Sequence, residues 1–521
     1  MGETDFLDSM HACINVDEIV RLLACELAAS GAKATAAALA CCCKNFEDPV
    51  LDALWGTQDQ LTPLLDTFLE GVWDETPHFV SLSTTPYFLL LNGLNGKAFK
   101  RMPTTSEWIR FKKYARRMRE LELDISGEPI TSDTLSTLQL RTLNEPLLPN
   151  IKTLRINGAT ADTISFVPMF LAHRITDIEI QFAASPPPVM VASMIINLPK
   201  LCPYLEAICL QDMQADTTIT GATSEMLLTC NLDTLQHFLV DSPLTEEARQ
   251  VVYQLPNLRG LWSVFTERTS LPTVSLPSLT TLDVEYHHDH DWLRAFHRTA
   301  PSKLIEASFH AECDRIGDFL EAFEAAFSSS ASALLRFMFF TSSSWDPRYY
   351  ALLSFKQLNE LIIEFSCQNG CSSSVDDETL TTLAQAMPKL EILQLGKTPC
   401  QAPSNVTVQG LIALARHCSG LSKLRIHFQT DSLVAALANE AIPDPSNCLL
   451  RSNCALASLE VGEIPISPQH MLSVFLTLIC IFPRLLLIEY TGEGWKWVAD
   501  SVRLSKKIDY FVHRSGKPRP P

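Results

Sequence analysis

The residues best able to do chemistry in this sequence are three adjacent cysteines, Cys41, Cys42 and Cys43, in "CCCKNF". Three thiolates held close together could bind Zn²⁺ or exchange disulfides. The surrounding pattern predicts a helix, however, and successive helical side chains turn by about 100°. Three thiols in a row therefore cannot converge on one ion. We predict that Cys42 and Cys43 are small packing residues and that Cys41 lies nearer the surface.

A second candidate is the cluster "HHDHDW", residues 287–292. His288 and His290 would point to the same side of an extended chain, and two imidazoles beside carboxylates suit Zn²⁺. The cluster directly follows the strand-like "LTTLDVEY", where exposed polar residues are ordinary. We favour that second interpretation and predict no metal and no cofactor.

Motifs of known enzymes are missing from the sequence. "LGKT", residues 395–398, ends like a phosphate-binding loop, but Glu391 stands where the first glycine of that loop belongs. Neither Gly-x-Ser-x-Gly nor His-Glu-x-x-His occurs. We therefore expect a binding protein and not an enzyme.

Charge and hydropathy limit the partners that we expect. The 521 residues carry a formal net charge of −18, which argues against broad binding of nucleic acid or anionic lipid. The longest apolar run, "MLSVFLTLICIF", ends at Pro483 and is shorter than the roughly 20 residues of a spanning helix. The opening "MGETDFLDSM" is acidic and unlike a secretory signal. We expect an intracellular protein, cytoplasmic and/or nuclear, without membrane or nucleic-acid partners.

One phrase recurs from residue 118 onward: an apolar position, two variable ones, an apolar one, a variable one, then usually an apolar one. Its mean spacing is about 28 residues, within the roughly 20 to 29 of leucine-rich repeats. In the phrases at 232 and 258 the last position is occupied by His237 and Ser263 and not by an apolar residue. The true start of these two repeats could therefore differ by a few residues. The phrases begin at 118, 151, 175, 205, 232, 258, 279, 304, 334, 358, 390, 421, 456 and 485.

Each phrase predicts a strand whose apolar positions face inward, and the intervals contain helical-period stretches such as "VMVASMIINLP". Stacked strand–helix units bury a continuous core, so we predict an α/β solenoid with a curved parallel sheet and outer helices. We place a helical segment at 10–60, a helical connector and cap at 61–117, the solenoid at 118–505 and a basic C-terminal tail at 506–521.

The first sixty residues predict three short helices. Asn15 and Glu18 have capping-box spacing ahead of an apolar stripe, and a second helix spans roughly 32 to 46. In the third, Asp48 is the expected N-cap, Pro49 the first helical position and Gly56 the stop. Helices of this total length bury too little surface to be stable alone, so we expect a partner. The stripe of the first helix is Ile19, Leu22, Leu23 and Leu27.

A basic segment, "EWIRFKKYARRMREL", precedes the first repeat. Trp108, Phe111, Ala115 and Met118 share one helical face, and six of residues 110–119 are Lys or Arg. One interpretation is an acid-binding patch. We favour the other, a capping helix with its apolar face on the first repeat and a solvated basic face.

Three stretches, "NVDEIVRLLACEL", "CKNF" and "LDALW", resemble the F-box motif, which runs Leu-Pro-x-Glu-Ile-Leu, then Cys-Lys-x-Trp, then Leu-Trp. In this sequence Phe46 stands in place of the usual Trp, and Asn15 and Val16 replace the Leu-Pro. Together with "LTPLLDTFLEGVW" and the repeats, the chain is similar to fungal F-box proteins with degenerate leucine-rich repeats. The positions that agree with the motif are Glu18, Ile19, Cys43, Lys44, Leu54 and Trp55.

The resemblance implies a substrate receptor of an SCF-type ubiquitin ligase. In that family the F-box docks on the Skp1 adaptor of a cullin-RING ligase, and the repeats recruit the substrate. Trp55 is the anchor we expect to matter most, since aromatic residues commonly dominate interfaces. The expected adaptor-binding residues are Val16, Ile19, Leu22, Leu23, Leu39, Cys43, Phe46, Leu54 and Trp55.

Two alternatives remain open. Because the Leu-Pro is replaced, the chain could be a leucine-rich-repeat scaffold that binds proteins without engaging the adaptor. It could also be an inhibitory repeat protein whose N-terminus docks on its own solenoid.

The variable strand positions should line the concave, substrate-binding side, where acidic residues outnumber basic ones by twelve to four. This excess predicts a protein substrate with a basic patch, although solvated acids on an acidic protein are the simpler explanation. The expected substrate-binding residues are Glu122, Arg155, Glu179, Trp262, Asp283, Arg425 and Glu460.

Overall fold

A computed structural model describes most of the chain. Asn15, Val16 and the His288 and His290 cluster lie outside the described residues, and so does the end of the predicted tail. The described residues are 17–74, 97–125, 130–142, 145–183, 186–213, 216–230, 232–265, 276–286, 293, 301, 303–311, 316–341, 347–365, 375–396, 404–438, 454–461, 464, 466–490 and 493–514.

Three helices form the described part of the N-terminal segment: α1 (Asp17–Ala29), α2 (Lys33–Cys42) and α3 (Lys44–Gly56). Gly31, at φ +77°, makes the turn after α1, a backbone conformation that glycine adopts without strain. We name residues 17–56 the N-terminal segment.

The boundary between α2 and α3 differs from the prediction. The second helix ends at Cys42, Cys43 is extended, and α3 begins at Lys44, so Asp48 and Pro49 lie inside α3 instead of starting it. Pro49 is the sixth residue of α3, where it removes the hydrogen bond that another residue would donate to the carbonyl of Asn45. Pro49 and Val50 are both buried, so packing compensates for the missing hydrogen bond.

The chain divides into two compact units, Met1–Val251 and Val252–Pro521. Among the described residues of the first unit, successive strands pair in parallel and in chain order. These strands are β1 (Thr57–Gln58), β2 (Glu120–Asp124), β3 (Thr153–Ala159), β4 (Asp177–Phe182), β5 (Ala207–Gln211) and β6 (His237–Val240). The helices that follow α3 are α4 (Thr62–Leu65), α5 (Thr105–Ala115), α6 (Ser132–Arg141), α7 (Pro188–Leu201), α8 (Thr217–Thr229) and α9 (Glu246–Val252).

The second unit repeats the same pattern of parallel strands in chain order. Its described strands are β7 (Gly260–Phe265), β8 (Thr281–Tyr286), β9 (Glu306–Ala311), β10 (Arg336–Thr341), β11 (Glu360–Phe365), β12 (Ile392–Leu395), β13 (Lys423–Arg425), β14 (Ser458–Val461) and β15 (Leu487–Tyr490). Its helices are α10 (Ile316–Phe327), α11 (Asp377–Ala386), α12 (Val408–His417), α13 (Thr430–Ala438), α14 (Met471–Ile481) and α15 (Glu493–Arg514).

The α/β class predicted from the repeats is confirmed, because parallel strands alternate with helices in both units. Most strands begin two residues into their phrase, as β2 does in the phrase at 118. The phrase at 232 was placed three residues early, since the buried apolar positions of β6 are Leu235, Phe238 and Val240. The phrase at 258 is in register, and Ser263 is simply a buried polar residue.

Helix α15 continues through Arg514, so the start of the predicted tail at 506 falls inside a helix. The apolar run "MLSVFLTLICIF" forms α14, an ordinary helix of 11 residues. No helix in the described part of the chain is long and apolar enough to cross a membrane.

Candidate protein-binding surfaces

Helix α1 presents an uncovered apolar face. Ile19, Leu22 and Leu23 are 44%, 67% and 51% exposed, whereas Val20 and Ala24 on the opposite side are buried. Residues three and four apart lie side by side on a helix, so these three side chains form one continuous strip. We call Ile19, Leu22 and Leu23 the α1 strip.

Three other expected adaptor-binding residues point inward instead. Leu39, Phe46 and Leu54 are half-buried and pack against a small core formed by Val20, Ala24, Ala36 and Val50. They hold the three helices together, so the surface open to a partner is narrower than the predicted set. Sequence alone could not make this division, because inward and outward apolar faces of a short helix look alike.

The three adjacent thiols are all exposed, which makes the packing prediction for Cys42 and Cys43 wrong. Helix α2 contributes Ala36, Leu39 and Ala40 to the core and then ends at Cys42, so the cysteines extend past the packed region. The Cys42 thiol donates to the carbonyl oxygen of Ala38 at 3.2 Å. Within the described ranges no three His, Cys, Asp or Glu side chains are grouped so as to hold a metal.

Trp55, the expected main anchor, packs within the first unit. Its ring lies 4.8 Å from the ring of Tyr114 on α5, tilted by 37°. The backbone continues the connection, because the Arg119 N–H donates to the carbonyl of Gly56 at 2.8 Å. Trp55 therefore connects α3 to the connector helix α5. We call the contacts between α3 and residues 113–119 the joint.

Ion pairs strengthen the same joint. The guanidinium of Arg117, only 12% exposed, pairs with Asp48 and Asp52 of α3, and Lys113 pairs with Glu47 at 3.2 Å. The hydrogen bond from Arg117 holds the pKa of Asp48 below its ordinary value. The favoured prediction of a solvated basic face is thus wrong on this side of α5, where acidic residues of α3 meet it.

Helix α5 begins with a capping box. The Thr104 hydroxyl accepts from the Glu107 backbone N–H at 3.4 Å, and the Glu107 carboxylate accepts from the Thr104 N–H at 2.7 Å. Arg101 adds two hydrogen bonds to the same carboxylate. These donors, that of Arg101 first, lower the pKa of Glu107 to about 2. The start of the connector is therefore fixed by a charged cap.

Three expected substrate-binding residues of the first unit lie in one row across neighbouring strands. Arg155 is in register with Glu122 on one side and Glu179 on the other. Its guanidinium lies 4.0 Å and 3.3 Å from their carboxylates. The sequence placed these residues correctly on one face, yet they partly neutralise one another.

In the second unit Arg425 is the centre of a similar row. Its guanidinium donates to Glu364 and Gln394 and lies 3.7 Å from Glu460. Only 12% of the Arg425 side chain is exposed. Arg336 likewise pairs with Glu306 at 3.4 Å. These pairs neutralise the acids locally, while the excess of twelve acids over four bases, which already counts Arg336 and Arg425, stays the same.

Trp262 and Asp283 are in register on adjacent strands. Burial raises the pKa of Asp283, and the nearby His310, whose Nε2 lies 4.0 Å from Asp283 Oδ1, opposes that shift. Among the described residues the buried Trp262 Nε1 has no hydrogen-bond acceptor.

The basic segment, for which the sequence left an acid-binding patch as one interpretation, borders a cavity that the sequence did not predict. Trp108 and Lys112 of α5, and Arg116 directly after it, line a cavity of about 390 Å³ together with Arg141 and Glu145. The helical spacing of the α5 residues could have indicated a shared face. Nothing in the sequence pairs that face with the end of α6 some thirty residues later.

No protein-family model matches this chain, and no curated protein matches it. Among solved structures, the chain is similar to one described as the crystal structure of the Rad7 and Elc1 complex in yeast. The identity is 18%, and the match covers 58% of this chain and 77% of that chain with a TM-score of 0.36. A similarity of that size carries no argument about function, so the assignment must depend on the geometry described above.

Proposed function

We propose that this chain is the substrate-recruiting subunit of a Skp1–cullin–F-box ubiquitin ligase, with the N-terminal segment docking on a Skp1-type adaptor. The repeat face would bind the protein to be modified. Such a protein performs no bond chemistry. It raises the local concentration of a substrate lysine beside a ubiquitin-charged enzyme.

The observation that carries the proposal is the α1 strip. Burying a Leu or Ile side chain stabilises a complex by roughly 1.5 to 3 kcal/mol, so three adjacent exposed ones favour a protein partner. The F-box resemblance covers the same helix, and it supplies the identity of the expected partner. Of the expected adaptor residues, Ile19, Leu22, Leu23 and Cys43 are accessible for contact.

The joint between α3 and α5 supports a proximity mechanism. Trp55 on Tyr114 and Arg117 on Asp48 connect the docking segment to the strands that follow within the first unit. A receptor that positions its substrate needs such a fixed connection, since a loose one would dilute the effective concentration.

The substrate is proposed to be a protein with a basic patch. Burial and the charges of the nearby Glu306 and Glu285 raise the pKa of Asp283, and a cationic side chain bound there would relieve the repulsion among these carboxylates. Arg155 and Arg425 already form ion pairs with glutamates on the neighbouring strands. These pairs weaken the preference for a basic substrate at those positions. Salt-sensitive binding is the expected signature.

Co-purification tests the adaptor. The full-length chain should retain a Skp1-type adaptor, and the double variant Leu22→Ser/Leu23→Ser should lose it. The matched control is Leu472→Ser/Leu476→Ser, which removes two comparably exposed leucines from α14. Retention by the α1 variant, or equal loss by the control, would reject the assignment.

The second candidate is a protein-binding scaffold that does not engage the adaptor. The replacement of Leu-Pro by Asn15 and Val16 favours it. A full-length chain that captures no Skp1-type adaptor while still binding a basic protein would establish this alternative.

A further inference from the structure

We propose that the cavity between α5 and the segment after α6 is a binding site for a small organic anion with a flat apolar body. We call it the α5 cavity. Its volume of about 390 Å³ falls within the roughly 300 to 1,000 Å³ of small-molecule sites.

The floor and one wall of the α5 cavity are apolar and rigid. Phe111, Ala115 and Leu147 line it and are all buried. Trp108 forms the wall, and its ring is held at 5.3 Å from Phe111 and 5.2 Å from Phe68. A planar apolar ligand would find a preformed surface here, so little would have to be reorganised on binding.

The rim is cationic. Lys112, Arg116 and Arg141 line the α5 cavity against a single carboxylate, Glu145, which leaves a local charge of +2 on a protein of net charge −18. Glu145 is already bound to Lys112 at 2.7 Å, and that hydrogen bond lowers the pKa of Glu145. Arg116 and Arg141 have no carboxylate within ion-pair distance among the described residues, so they are available to an anion.

Trp108 is also in contact with the cationic rim of the α5 cavity. The Arg141 guanidinium carbon lies 6.0 Å from the centre of the Trp108 ring. An anionic group between Arg141 and Arg116 would thus have its apolar body against the same indole.

The basic residues of α5 and of the two positions after it contact two different regions. Lys113 and Arg117 turn to the acids of α3, whereas Lys112 and Arg116 turn to the cavity. The acid-binding interpretation of the segment therefore applies to one side of the helix only, and to a small ligand there.

Isothermal titration calorimetry of the full-length chain with 2-naphthyl phosphate tests the proposal. We expect saturable one-to-one binding, at least tenfold weaker with 2-naphthol, which lacks the charge, and with inorganic phosphate, which lacks the rings. Binding should also weaken with added salt. No binding of 2-naphthyl phosphate, or equal binding of the uncharged 2-naphthol, would overturn the proposal.

Variants locate the site. Arg141→Gln and Trp108→Phe should each weaken 2-naphthyl phosphate binding about tenfold, while Arg110→Gln, an exposed change on α5 outside the cavity, should leave it unchanged. The ligand should also raise the Tm of the unsubstituted chain, because it binds only the folded state. Binding that survives in Arg141→Gln, with the variant shown to be folded by its own Tm, would place the ligand elsewhere.

Discussion

The N-terminal segment and the helix–strand core around α10 differ in the side chains that fill their hydrophobic cores. The hydrophobic core of the segment is formed by Val20, Ala24, Ala36 and Val50, two of them alanines. The core around α10 is built from Phe309, Phe319, Phe323, Phe327 and Phe337, all buried with their rings about 5 to 6 Å apart. The segment keeps the α1 strip outside its core.

The difference shows where each region obtains its stability. A buried phenylalanine removes far more apolar surface from water than an alanine does. The repeat core is therefore stabilised from within, whereas the N-terminal segment depends on contacts outside itself: the joint to α5 and, under our proposal, an adaptor.

The largest expected effect tests the repeat core. Phe323 contacts Phe309, Phe327, Phe337 and Phe355 at ring distances of 4.9 to 5.4 Å, so Phe323→Ala should cost about 3 to 5 kcal/mol of unfolding free energy. In the segment, Val50→Ala should cost about 2 kcal/mol. Hydrogen exchange of residues 316–341 and of residues 17–56 measures the loss of unfolding free energy in each variant. Equal losses in the two variants would contradict the proposed difference between the two regions.

The joint to α5 has the next largest effect. Arg117→Gln leaves Asp48 and Asp52 without their partner, and because these carboxylates are 76% and 38% exposed to water we expect about 1 kcal/mol of local destabilisation. Exchange of α3 amides should accelerate while that of residues 316–341 stays unchanged. The control Arg110→Gln should change neither. If Arg117→Gln leaves α3 exchange unaltered, the segment does not depend on the joint.

Acid should loosen the N-terminal end of the connector helix α5. The pKa of Glu107 falls from 4.5 to about 2 on folding, so its stabilising contribution is complete above pH 4.5 and disappears as the pH falls toward 2. Asp48 shifts in the same direction. The difference in α5 exchange between the unsubstituted chain and Glu107→Gln should therefore vanish near pH 2. A difference that persists there would show that the cap acts without its charge.

The smallest expected effect is a difference in the rate at which individual cysteines are alkylated. Cys41, Cys42 and Cys43 are exposed, whereas burial raises the pKa of Cys202 and Cys418 to about 12. Because thiolates are the reactive form, mass spectrometry after brief alkylation at pH 7.5 should find the exposed Cys25, Cys41, Cys42 and Cys43 modified before Cys202 and Cys418. An adaptor should then slow labelling at Cys43. Early labelling of Cys418 would contradict the rigid repeat core.

The sequence predicted the repeats better than the surfaces. Spacing of apolar residues sets strands such as β2 and β11 directly, because one buried face imposes the period. At β6 the phrase slipped, since "LDTLQH" satisfies two of the three apolar positions by chance. Trp55 pairs with Tyr114 and Arg117 with Asp48. These partners are 59 and 69 positions apart in the chain, and no local pattern encodes such pairs.

The most direct test of the account is hydrogen exchange of the full-length chain with and without a purified Skp1-type adaptor. We predict that the adaptor slows exchange in α1, around Ile19, Leu22 and Leu23, while α14, which also carries exposed leucines, is unaffected. Adaptor binding with no protection of α1, or no binding at all, would contradict the claim that the N-terminal segment is stabilised by docking on this partner.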